Sequence, residues 1–348
     1  MQLSPVQLSP VQAAANEIVV VSGADERYAM PLAVTIRSAL DRLQADQHMR
    51  LFILDGGISD QSKQRLTQTW SSPRLSLTWL TPNVSRVDDL PVSDHISLAA
   101  YLRLMLPELL PADVSKVIYL DADMLVRRDL TQLWLEPLGD YSALAVQDYA
   151  APFIDSSMSL SNFDVCNLHL AAAFPVANYR ELGISADRMY FNSGLMVINI
   201  QKWRSENITG QVFDCLRTHR QHVLWWDQYA LNVVLADKWR CLDHRWNQGA
   251  HIFVYPHWRE SPFNRETYAL LKEDPWVIHY CSPSKPWDYF CSHPFAYEFR
   301  RYLKQTAWHD FCPKRPERFV NAWWKMRYKQ ARNGMQTQLK NISYRRAA

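Results

Sequence analysis

The sequence predicts an α/β protein built on a mostly parallel sheet flanked by helices. Three observations predict it. Apolar runs of strand length recur between residues 17 and 120, stretches of helical apolar spacing separate them, and one run ends in a pair of aspartates.

The first run, Glu17 to Ser22, is a continuous apolar stretch and reads as a buried strand, and the spacing from Pro31 to Leu43 reads as a helix. Met49 to Asp55 is a second strand, closed by Gly56-Gly57; Ser59 then offers a short hydroxyl as an N-cap for a helix running toward Trp70. Leu75 to Leu80 makes a third strand, Ser97 to Leu109 a helix, and Val117 to Leu120 the strand that delivers Asp121 and Asp123. Two more buried strands fall near Ala143 to Val146 and near Gly194 to Ile200. The alternation is Rossmann-like. Residues 149–189 lie between the last two strands and are long and irregularly patterned, as lids and acceptor-binding loops are. The expected organisation is a disordered lead-in over 1–16, carrying the repeat Gln-Leu-Ser-Pro-Val-Gln, then a catalytic domain over 17–290 and a helical basic tail over 291–348.

Composition narrows the function. A chain of 348 residues with 48% hydrophobic content can bury a large core. No apolar run approaches the roughly 20 residues that span a bilayer, and the N-terminus lacks a basic-then-apolar signal, so a cytoplasmic protein is expected. Six cysteines without a C-x-x-C pair suit free thiols in a reducing compartment. Residues 313–348 hold ten Lys or Arg against Glu317 alone, a net of +9, so with +3 for the whole chain the remainder stands at −6. A basic tail on an acidic body argues against a nucleic-acid-binding core and for a tail that meets an anionic surface. On a helix, Arg318, Lys325, Lys329 and Arg332 share one face and Phe319, Val320, Trp323 and Trp324 the other, a pattern suited to peripheral contact with an anionic membrane. Arg327 falls on the apolar face and weakens that pattern.

The chemistry centres on Asp121 and Asp123. Period-2 alternation places both on one side of the backbone at the carboxyl end of a strand, where open α/β sheets bind ligands, and paired acids there can cradle a divalent cation whose open positions take phosphate oxygens. His279 ends another short apolar strand and is a candidate third ligand; two carboxylates and an imidazole suit Mn²⁺ better than Mg²⁺, which stays as the alternative. Lys285, six residues on, is placed to neutralise a diphosphate. With only 9 glycines and neither G-x-G-x-x-G after the first strand nor a P-loop, dinucleotide redox and P-loop phosphoryl transfer are disfavoured. A dehalogenase-type hydrolase also carries Asp-x-Asp after a strand, but near the N-terminus and before a different pair of residues than Met124-Leu125. Trp225 precedes Asp227-Gln228 and offers a flat ring to a pyranose; Trp246 and Trp258 are weaker candidates for that role.

These motifs, taken together, carry a resemblance. Ala24-Asp25, His95-Ile-Ser with Tyr101-Leu-Arg103, Tyr119 to Val126, Tyr190 to Arg204, Trp226-Asp-Gln228 and His279 to Trp287 occur in an order that resembles glycosyltransferase family 8, most of all bacterial lipopolysaccharide and lipooligosaccharide galactosyl- and glucosyltransferases. The resemblance implies a GT-A fold and retaining transfer of galactose or glucose from a UDP-sugar to a saccharide or glycolipid acceptor, with Mn²⁺ held by Asp121, Asp123 and His279. It implies that Asp25 lies near the uridine, that Lys285, Ser282 and Ala122 meet the donor, and that Arg103, Asn192, Asp227 and Gln228 surround the donor sugar. By the same resemblance, Asp227 and Gln228 are expected to carry the catalytic roles, and His95, Asp148, Trp225 and Cys281 to meet the acceptor. Two departures stand out: Arg27 replaces an Asn expected near the uracil, and Ser282 replaces a Gly, where its hydroxyl can donate to the diphosphate. A self-glucosylating, glycogenin-like initiator and a silent UDP-sugar-binding protein are the alternatives.

Overall fold

The computed structural model describes residues 16–83, 85, 89–90, 98–317, 319–320, 323–324, 327–328, 331–332 and 335. Ten strands are described: β1 (Glu17–Ala24), β2 (His48–Asp55), β3 (Leu75–Leu80), β4 (Lys116–Asp121), β5 (Met124–Val126), β6 (Ala143–Gln147), β7 (Phe191–Asn199), β8 (Trp239–Cys241), β9 (Gln248–Gly249) and β10 (Val277–His279). Seven form a sheet in the order β3-β2-β1-β4-β7-β6-β8, parallel except where β7 runs against β4 and β6.

Strand alternation sorts the core into two layers. Ile18 and Val20 of β1, Ile118 and Leu120 of β4, and Leu195 and Val197 of β7 face the layer built with the helix Ala29–Arg42. Their neighbours Val19, Val21, Val117, Tyr119, Met196 and Ile198 face the layer that holds the helices Ile208–Thr218 and Asp227–Val234. Both faces are therefore covered, which is why these strands are continuous apolar runs.

The antiparallel β7 decides where the site forms. Leu120 pairs with Leu195, so the start of β7 meets the carboxyl end of β4, and Val146 pairs with Asn192, which brings the end of β6 to the same edge. A second sheet, β5-β10-β9, was not foreseen; His279 pairs with Met124 across β5 and with Gly249 across β9.

Three local expectations change. The helix expected from Ser97 to Leu109 is a 3₁₀ helix over Leu98–Met105 followed by a short α-helix over Leu106–Leu109, with Pro107 in its first turn. Pro107 has no N–H to donate to a carbonyl of the first piece, which separates the two. Strand β4 ends at Asp121, so Asp123 reaches the same edge through a turn and not by strand alternation. The helix Ala296–Leu303 buries Phe299, Tyr302 and Leu303 in the layer shared with Ala29–Arg42, and so packs with the core.

Candidate active site

The turn between β4 and β5 is held from beneath by a helix. The Thr35 hydroxyl lies 2.7 Å from the Ala122 carbonyl and 2.8 Å from that of Met124, and accepts from the Met124 N–H at 3.1 Å; the Ser38 hydroxyl accepts from the Val126 N–H at 2.9 Å. Both hydroxyls are fully buried in the helix Ala29–Arg42, a cost these bonds offset. Ala122 is itself buried, and its carbonyl is the one that the Thr35 hydroxyl meets.

Each aspartate gives one oxygen to a cation and turns the other toward His279. Asp121 Oδ1 lies 3.0 Å from Arg103 Nη2 and accepts from the Tyr119 hydroxyl at 3.1 Å, while its Oδ2 stands 3.7 Å from His279 Nε2. Asp123 Oδ2 lies 2.7 Å from Lys285 Nζ, while its Oδ1 stands 3.3 Å from the same imidazole nitrogen. The three prospective ligand atoms fall within 4.8 Å of one another.

A chain of amides sets the histidine tautomer. Asn192 Oδ1 accepts from the Gly194 N–H at 3.0 Å and from Asn247 Nδ2 at 3.0 Å, which leaves Asn247 Oδ1 as the acceptor for His279 Nδ1, also at 3.0 Å. The Nδ1 proton is thereby committed, and Nε2 presents its lone pair to the two carboxylates, the arrangement of a metal-ligating imidazole. Two carboxylate oxygens and one imidazole nitrogen form a donor set that fits Mn²⁺.

Gly194 makes the cluster possible. A Cβ there would stand 2.3 Å from His279 Cε1 and 2.8 Å from Asp121 Oδ2, so only glycine lets β7 pass this close.

Electrostatics divide the two aspartates. Burial pushes Asp121 up, against the pull of Arg103. Burial acts on Asp123 as well, but Lys285 overcomes it and holds Asp123 well below the usual carboxylate range. Burial lifts Asp227 to about 6, with Arg103 opposing.

Beside this cluster lies a second group. Arg103 joins Asp121 to Asp227, whose Oδ2 is 3.0 Å from Arg103 Nε, and donates to the Ser193 carbonyl at 2.6 Å. The Asp227 contact is an ion pair without hydrogen-bond alignment, so Asp227 Oδ2 has no hydrogen-bond partner among the described residues. Gln228 is fixed at both ends: its Oε1 accepts from the Ser193 N–H at 3.1 Å and its Nε2 donates to Asp148 Oδ2 at 3.0 Å. Asn192 Nδ2 donates to the same Asp148 oxygen at 3.0 Å.

The structure thus gathers Asp121, Asp123, His279, Lys285, Arg103, Asn192, Asp227, Gln228 and Asp148 into one network. Asp25 follows β1 at the same edge, since Gly23 lies beside Asp121 in the sheet; its Oδ1 accepts from the Tyr28 N–H at 3.2 Å and its Oδ2 pairs with the departing residue Arg27 at 3.2 Å. Trp225 is half-buried with its ring 6.1 Å from that of Tyr190, and Cys281 is exposed, with Sγ 3.5 Å from where a Gly249 Cβ would sit. His95 lies outside the described residues. The Ser282 hydroxyl donates to the Ser284 carbonyl at 2.9 Å. Trp246 is 2% exposed and packs edge-on against Trp276, which removes it as a sugar platform. Trp258 stays half-buried beside His257.

Sequence reasoning missed Asn247, Thr35 and Tyr28. Tyr28 faces Lys285, whose Nζ is 5.9 Å from its ring, and its phenol is raised by burial and by the nearby Asp123. A hydroxyl amid an apolar helical face was the available signal for Thr35. Nothing in the local pattern marks Asn247.

The comparisons with known proteins agree with this architecture. The chain is 29% identical to General stress protein A of Bacillus subtilis over 83% of its own length and 94% of that protein. It is 24% identical to the lipopolysaccharide 1,2-glucosyltransferase of Escherichia coli K12, over 89% of this chain and 84% of that one. Among solved structures, the galactosyltransferase LgtC in complex with donor and acceptor sugar analogs superposes with a TM-score of 0.67 at 25% identity, covering 87% of this chain and 99% of LgtC, which fits a GT-A fold. Residues 19–291 match the model of "Glycosyl transferase family 8", most of the chain, so this protein is a glycosyltransferase and belongs to that family.

Proposed function

We propose that the protein transfers galactose or glucose from a UDP-sugar to a saccharide acceptor on a lipopolysaccharide or similar glycolipid, with retention of configuration and dependence on Mn²⁺. The convergence of Asp121 Oδ2, Asp123 Oδ1 and His279 Nε2 carries this reading, because three such atoms within 4.8 Å of one another could hold a divalent ion. Bound there, Mn²⁺ would stabilise the charge that develops on a diphosphate leaving group. Lys285 adds a cation at the same place; burial works against its charge, but the ion pair with Asp123 outweighs burial and keeps it protonated. The names of the relatives support the acceptor class: they include a lipopolysaccharide 1,2-glucosyltransferase and a lipopolysaccharide 1,3-galactosyltransferase.

Asp227 orients the donor sugar and forms no lasting covalent intermediate. Its support is that the Arg103 guanidinium pairs with the carboxylate at 3.0 Å, which blunts it as a nucleophile. Gln228, with both ends of its amide engaged, is rigid enough to orient a sugar hydroxyl. Trapping of a glycosyl-Asp227 adduct by mass spectrometry overturns this assignment.

UDP release from a panel of UDP-sugars, with Mn²⁺ and with EDTA, tests the whole reading. Mn²⁺-dependent release that Asp123→Ala abolishes supports it. Wild-type turnover in Asp123→Ala refutes the metal assignment, and tight UDP binding with no turnover on any donor and acceptor refutes catalysis.

The basic stretch 313–348 is proposed to attach the enzyme peripherally to an anionic membrane. No helix among the described residues is long and apolar enough to cross one. Val320 and Trp324 are each 62% exposed, whereas Phe319 packs on Tyr289 and Phe290 and is not available as an anchor. Vesicle co-sedimentation that survives truncation at Pro313 argues against the attachment.

A further inference from the structure

Asp227 and Gln228 enter the site through a turn whose backbone does not suit its residues. Trp225 and Trp226 have φ of +59° and +53°, and of the three residues other than glycine with positive φ among those described, these two are adjacent. Trp226 has ψ −122°, and the Gln228 N–H donates to the Trp225 carbonyl at 3.1 Å. Those values define a type II′ turn with Trp226 at its first central position, which glycine dominates because a Cβ is strained there. Asp227 is at once the second central residue and the first residue of the helix Asp227–Val234, and no linker separates turn from site.

Such strain persists only where the surroundings over-determine it. Here the downstream side is pinned by Arg103 on Asp227, by Ser193 and Asp148 on Gln228, and by the Asn232 side chain, which donates to the Gln228 carbonyl at 2.9 Å. The upstream side is held by the two indole rings, both half-buried against the core layer that contains Tyr190 and Tyr229.

We infer that Trp226 is a positioning residue: its ring, wedged on the core, holds a glycine-type turn closed and so sets the alignment of Asp227 and Gln228. The inference rests on the proposed role of those two residues toward the donor sugar, and it makes an unusual ordering. Trp226→Ala removes the wedge and keeps the Cβ strain, so the turn relaxes to negative φ and displaces Asp227. Trp226→Gly removes wedge and strain together, so the turn stays populated.

The experiment measures Tm, Mn²⁺-UDP affinity, kcat and acceptor KM for the wild type and for both variants. The expected result is a Tm several degrees higher for Trp226→Gly than for Trp226→Ala, and a kcat ordered wild type, then Gly, then Ala, with about tenfold between the variants and little change in Mn²⁺-UDP affinity. Equal kcat in the two variants, with acceptor KM raised alike, assigns the ring to substrate contact and overturns the inference. A loss of Tm alike in both, with kcat unchanged, makes the residue mere packing and overturns it as well. Should the wild type turn over no UDP-sugar, the functional reading fails, while the Tm ordering still decides whether the turn is strained.

Discussion

Replacing Gly194 with alanine probes the candidate metal site without touching a ligand. Its Cβ would lie 2.3 Å from His279 Cε1, 2.8 Å from Asp121 Oδ2 and 3.0 Å from Asn192 Oδ1. Carbon atoms rest at about 3.5–4.0 Å, so the imidazole contact is short by more than an ångström. Neither side yields readily. Leu195 next to it pairs with Leu120 in the centre of the sheet, and the imidazole is held by Asn247 and by strand pairing on both flanks of β10. The histidine must therefore rotate or Asp121 must retreat. Misplacing a ligand in this way is expected to weaken metal binding by at least the ~10–100-fold that loss of an outer-shell partner costs. Overpacking of this kind destabilises by about 2 kcal/mol, or roughly 3 °C in Tm for a chain of this length. The assay is Mn²⁺ titration by calorimetry beside a thermal melt, with Gly139→Ala as the control. Gly139 has φ +53° and no atom within 4 Å of its Cβ position, so that variant strains the backbone and leaves metal affinity intact. Wild-type Mn²⁺ affinity in Gly194→Ala would refute the reasoning that the three side chains form one tightly packed site.

Asn247→Ala frees the His279 ring to choose its tautomer, and a ~10–100-fold loss of Mn²⁺ affinity with a folded far-UV spectrum is expected; unchanged affinity counts against the amide chain. Arg103→Lys replaces a fork that reaches Asp121, Asp227 and the Ser193 carbonyl with one ammonium, so turnover is expected to fall at least ~10-fold because a point charge cannot span the three. Full activity in that variant shows that the fork is dispensable. His293 is lowered by burial to about 4, with Nδ1 accepting the Phe295 N–H and Nε2 buried without a partner among the described residues. Its folded-state value lies below the unfolded one, so its contribution is complete above about pH 6.5 and is lost as pH falls toward 4. The loss is at most about 3 kcal/mol, and less for the part of the ring that meets solvent. Urea melts at pH 7 and pH 4.5 check it: His293→Asn should narrow the difference between the two, and an unchanged difference removes His293 from the acid response.

Much of the architecture is written in local pattern, because burial on both faces forces continuous apolar strands and because caps and periodicity are local properties. The strands through β4, the helix after Ser59 and the strand ending at His279 can all be read in this way. So can the identity of the acidic pair, since a strand that delivers carboxylates to a sheet edge has few structural reasons to do so.

What only the tertiary structure decided is how distant segments meet. The reversal of β7 brings Gly194 and Asn192 to Asp121, and the small second sheet carries His279 to Asp123; neither pairing leaves a periodic trace in sequence. Asn247 and Thr35 act through single hydrogen bonds across 32 and 87 residues, and such bonds have no spacing to recognise. The sequence by itself determined which side chains are candidates for the chemistry. Their tautomer, their charge state and the close approach that requires glycine at 194 were set by contacts that exist only once the sheet has closed around them.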